Sequence, residues 1–88
     1  MENKQKLQKL LLAEQADLQK VVALQVPDFE AGQELGRLIK GDSDLSDSQT
    51  FLNIKNYGTR VALSLRDAKA SAKKALEAVD EALVRVGK

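Results

Sequence analysis

An all-α fold, built as a long helical hairpin or an elongated three-helix bundle with coiled-coil-like seams, is predicted by three observations. Apolar residues recur at helical spacing along most of the 88 residues. A lone proline, Pro27, interrupts the first half of the pattern. One cluster of turn-forming residues, Gly41-Asp42-Ser43-Asp44-Leu45-Ser46, divides a leading arm from a returning arm. At this length the chain is expected to form one domain over residues 1–88, near the lower limit of what a single core stabilises.

The first helix is expected over residues 2–25. Its composition of Leu, Gln, Lys and Ala favours helix. Leu7, Leu11, Leu18, Val22 and Gln25 form a stripe that Leu10, Val21 and Leu24 widen. The residue before a proline is driven out of helical geometry, which ends the helix near Val26.

A second helix is expected over 28–40, with Pro27 as its opening residue and Asp28 and Glu30 at the positive end of its dipole. Ala31, Leu35, Leu38 and Ile39 mark its apolar face, and Gly41 its end. Gly32 and Gly36 lie one turn apart on one face, where they would let a neighbouring helix approach closely.

The third helix is expected over 47–86. Ser46 and Gln49 have the spacing of a capping box. Phe51, Ile54, Gly58, Val61, Leu65, Ala68, Ala72, Ala75, Val79, Ala82 and Val86 then alternate in steps of three and four, a heptad seam without a break. Forty residues would extend about 60 Å. The simplest layout bends the first two helices at Pro27 and returns the third antiparallel. Such a hairpin has one packed seam, so a homodimer or a complex with another protein is expected to supply a second.

Catalytic and metal chemistry find little material. Without cysteine or histidine, the chain holds no Cys-His or Ser-His-Asp set, no disulfide, and no thiolate or imidazole metal ligand. No catalytic, cofactor-binding or metal-binding residues are expected, and the protein is not expected to be an enzyme. Asp42, Asp44 and Asp47 mimic the start of a calcium loop, but Asp47 and Asn53 stand where its Gly and Glu are required. The longest apolar run is Leu10–Ala13, far short of the roughly 20 residues that cross a bilayer. A cytoplasmic location without membrane contact is the expectation.

The net charge of +1 hides two poles. Residues 27–50 carry two bases against six acids, and residues 51–75 six bases against one acid. Lys55, Arg66, Lys69 and Lys73 would form a basic stripe along one long helix. In the hairpin, Glu30 and Glu34 would meet Lys55 and Arg60, while Glu14 and Asp17 would meet Lys69 and Lys73. Asn53, Asn56 and Gly58 are poor helix formers inside a strong helix, a local conflict of the kind found at functional sites.

The expected function is a small non-enzymatic protein-interaction module, an adaptor, inhibitor or assembly factor. Its partner-binding residues are expected to be Asn53, Lys55, Asn56, Tyr57, Arg60, Arg66, Lys69 and Lys73. The alternative is a nucleic-acid-associated regulator using the basic stripe, together with Lys74.

Overall fold

The computed structural model describes residues 2–25, 27, 29–63 and 67–87, with backbone alone at 2, 3 and 63. Five helices follow in order: α1 (Glu2–Val22), α2 (Glu30–Gly41), the single turn α3 (Ser43–Ser46), α4 (Gln49–Leu63) and α5 (Ala68–Val86). The all-α class is as the sequence predicts, and no strand occurs among the described residues.

The principal difference lies in the returning arm. The predicted helix over 47–86 is two helices, α4 and α5, which pack side by side. α5 also packs along α1, α1 along α2, and α2 along α4, closing a ring of four. Successive helices of this ring, α1, α2, α4 and α5, reverse direction, so α1 and α5 run antiparallel. The result is the predicted hairpin folded in half, with α1 beside α2 and α4 beside α5. The molecule measures 36 × 19 × 19 Å with a Cα radius of gyration of 11.8 Å, close to the ~12 Å of a compact chain this long. A 60 Å helix has no place in it.

Folding in half satisfies the seam that the sequence shows. Phe51, Ile54 and Val61 of α4, and Ala68, Ala72, Ala75, Val79 and Ala82 of α5, are all buried in one core with Leu7, Leu11 and Leu18 of α1 and Leu35 and Ile39 of α2. Leu65, also assigned to the seam, lies outside the described residues. The second packed layer, expected from a partner chain, comes from this chain itself. α5 touches α1 on one side and α4 on the other, so its buried face is broad, adding Ser71 and Ala78. Small side chains on that face let both neighbours approach, opposite the large leucines of α1.

The helix ends also depart from expectation. α1 stops at Val22, and a Schellman closure follows: the Gln25 N–H donates to the Lys20 carbonyl at 2.7 Å and the Leu24 N–H to the Val21 carbonyl at 2.9 Å. The geometry places Leu24 in the left-handed region, φ 64°, where glycine is the usual residue. Leu24 is 80% exposed, so no burial offsets that strain. Replacing it with Gly is expected to stabilise the protein by about 0.5–1 kcal/mol in urea unfolding, since relief of the left-handed strain outweighs the added freedom of the unfolded chain.

α2 opens at Glu30, not at Pro27. Pro27 is buried in the connection, Phe29 takes the position before the helix at φ 64°, and Glu30 does fall in the first turn. Asp28 lies outside the described residues. The Ser46–Gln49 capping box does not form. The Ser46 hydroxyl donates instead to the Ile39 carbonyl, and the Gln49 amide to Asn53 Oδ1 at 2.8 Å. Asp42 is the working cap: its carboxylate accepts the Asp44 and Leu45 amides at 2.9 and 3.3 Å, opening α3. Phe51 anchors the end nearest α3, and Phe29 the opposite end.

Candidate functional site

Two places on the bundle concentrate polar chemistry. The first is the groove between α4 and α5. Tyr57 is half-buried at its edge, with the Arg60 guanidinium 5.5 Å and the Lys74 ammonium 5.4 Å from the ring centroid. Both cations lie within cation–π range of one ring. Asn53 lines the same groove, and Glu77 and Glu81 line it farther along α5. Asp67, Ala70 and Ser71 continue it past Arg60.

Of the eight predicted contact residues, the fold brings together Asn53, Tyr57 and Arg60, and adds Lys74. It separates the others. The break before α5 divides the continuous basic stripe, and Arg66 lies outside the described residues. Lys55 is half-buried one turn before Thr59, on the opposite flank of α4 from Tyr57. Asn56 is exposed on the outer face. Lys69 and Lys73 are exposed on the flank of α5 that carries Asp80, which accepts a 2.7 Å hydrogen bond from Gln15 of α1.

That bond fixes a register different from the one expected. Residues 15 and 80 are opposite, which sets Lys73 beside the end of α1 rather than beside Glu14 and Asp17. Glu34 pairs with Arg37 on its own helix at 2.8 Å, rather than with α4. Arg85 likewise pairs with Glu81 one turn away.

The second place is a crevice between α1, α2 and α4, with a cavity of about 160 Å³. Its walls are largely apolar: Leu18, Val21, Pro27, Phe29, Val61 and Ala62, with Gln33 and Thr59 as polar members. Among the described lining residues, Glu14 and Asp17 are the ionisable ones. Glu14 is 4% exposed, and no hydrogen bond or ion pair holds its carboxyl among the described residues. Loss of water around the carboxylate, and secondarily the neighbouring Asp17 charge, push the Glu14 pKa up from 4.5 to about 7.

Gly32 makes room for this carboxyl, whereas a side chain at Gly58 would meet it only in ordinary contact. A Cβ on Gly32 would stand 2.7 Å from Glu14 Oε2, and one on Gly58 would stand 3.8 Å from the same atom. Gly32 therefore serves a buried acid rather than a helix–helix approach. Gly36 would meet nothing within 4 Å. Gly36→Ala is expected to stabilise by about 1 kcal/mol from helix propensity alone. Gly32→Ala is expected to give less than that or to destabilise, because the Glu14 carboxyl must move. Urea unfolding of the two variants side by side measures the difference.

The sequence pairs Glu14 with Lys69 and Lys73, and the fold turns it into the crevice instead. The signal was present: Leu7, Leu11, Glu14, Leu18 and Val21 step by four, three, four and three, so Glu14 occupies a seam position. Among the described residues no group of three or more acidic side chains comes together in a form that could hold a metal ion, and no helix is long and apolar enough to cross a membrane. No family model, curated protein or solved structure matches the chain.

Proposed function

We propose that this chain is a small non-enzymatic protein-interaction module whose contact surface is the α4–α5 groove around Tyr57, directed at an acidic patch on a protein partner. The observation that supports this most is the convergence of Arg60 and Lys74 on the Tyr57 ring. Tyr and Arg are the side chains that most often dominate binding energy at protein interfaces, because they combine large contact area with directed polar tips. Asn53 adds a polar group in the same groove. Glu77 and Glu81 farther along supply the opposite charge, so a partner of complementary pattern would be held in one register.

A second reading, a nucleic-acid-associated regulator, draws on the same cluster, since a ring between two cations can stack on a base beside a phosphate. The two acids in the groove favour the protein reading, because they would repel a phosphate backbone.

A photo-reactive side chain introduced at exposed Asn56, beside the groove, separates these readings in the living source. The expected result is a discrete protein adduct that disappears when Arg60→Glu and Lys74→Glu are combined. A nucleic-acid adduct would favour the second reading. Absence of any adduct, or a protein adduct that survives the charge reversal, would overturn the assignment of this surface.

A further inference from the structure

We propose that the crevice between α1, α2 and α4 is a binding site for a small organic ammonium ion, a primary or secondary amine whose nitrogen meets the Glu14 carboxylate and whose apolar body lies against Leu18, Val21 and Phe29. The site is independent of the α4–α5 groove and on the other flank of α4.

Geometry carries the argument. Glu14 is 4% exposed, lines the cavity, and makes no hydrogen bond or ion pair among the described residues. Its carboxyl occupies space that Gly32 leaves for it. A buried carboxylate without a countercharge is costly, and a cation brought by a ligand removes that cost. Among the described lining residues Glu14 and Asp17 are the ionisable ones, and the Asp17 charge acts on Glu14. The site therefore selects a cation and rejects an anion.

The size and walls define the rest of the ligand. A cavity of about 160 Å³ is close to the ~150 Å³ that accommodates a benzene ring in a protein core. A six-carbon chain or one ring matches the volume and the apolar lining, in which the half-buried Phe29 takes part. A divalent metal suits the site poorly, because two carboxylates fall short of the six or more oxygens that calcium takes. Phe29 also holds a left-handed backbone, φ 64°, at the edge of the crevice. Backbone strain of that kind concentrates at ligand sites.

The test is a titration of the full chain, uniformly labelled with nitrogen-15, with benzylamine and with benzyl alcohol near pH 8. Benzylammonium is expected to shift the amides of Gly32, Gly58 and Thr59 saturably, with a Kd of about 1 mM or tighter. The alcohol, equal in shape and uncharged, is expected to bind at least about tenfold more weakly. The advantage of the amine is expected to vanish in Glu14→Gln, and near pH 5 in the unaltered protein, where Glu14 is protonated. No saturable shift at those amides, equal binding of the alcohol, or an advantage that persists both in Glu14→Gln and near pH 5 would each overturn the proposal.

Discussion

Glu14→Gln is expected to raise the stability of the protein near pH 8 by about 1–3 kcal/mol, and to leave it nearly unchanged near pH 5. The carboxyl is held at about 7 in the folded protein, against 4.5 when solvated. Between those values the folded state keeps a proton that the unfolded state releases. Stability is therefore fullest below pH 4.5, falls as the pH rises toward 7, and levels off above it. The full difference corresponds to about 3 kcal/mol. Gln keeps the shape and removes the ionisation, though its amide remains short of partners, hence the lower bound. Urea unfolding of both proteins across this pH range measures the effect. A constant difference between them from pH 5 to pH 8 would mean that Glu14 does not ionise in a buried site.

Leu11→Ala is expected to destabilise by about 3 kcal/mol, with Leu12→Ala within about 0.5 kcal/mol of the unaltered protein. Leu11 is fully buried on α1 in the single core, so its truncation leaves a cavity there. Leu12, the next residue, is 51% exposed. The contrast fixes the rotational phase of α1. Comparable losses at both positions would indicate that a second surface covers Leu12, as a dimer of helical hairpins would. Denaturation midpoints for the two variants, taken at several protein concentrations, separate these cases.

Much of the core was legible in spacing alone. The stripe of Ala31, Leu35, Leu38 and Ile39, and the seam from Phe51 through Ala82, have the periods that burial imposes. The pairing of the first arm with the second was legible too: α1 with α5 and α2 with α4 are the partners a simple hairpin requires. The break between α4 and α5 was not. Residues 64–67, Ser-Leu-Arg-Asp, contain neither Gly nor Pro, and the seam keeps its phase across them. A period-3.5 pattern states which residues are buried and is silent on whether one straight helix or two folded ones bury them. The driving force is the second layer of burial gained by folding in half, which is a property of the whole chain.

The candidate sites follow the same logic. Asn53, Tyr57 and Arg60 lie within two turns of α4, so sequence spacing was enough to group them. Lys74 joins them only because α5 folds back. The reading of Glu14 and Asp17 as partners of Lys69 and Lys73 failed on register: the Gln15–Asp80 bond sets α5 lower along α1 than the straight hairpin would. Gly32 and Glu14 stand 18 positions apart in the sequence. The fit of one to the other exists only in three dimensions.

The central claim, that the chain folds in half and closes α1, α2 and α4 around the Glu14 carboxyl, is tested most directly by the ionisation of that group. Carbon-detected nuclear magnetic resonance of the Glu14 side chain through a pH titration gives its midpoint. The folded-in-half bundle predicts a midpoint of about 7. A straight hairpin would place Glu14 beside Lys69 and Lys73 and lower its midpoint, so a value at or below 4.5 would contradict both the crevice and the fold that forms it.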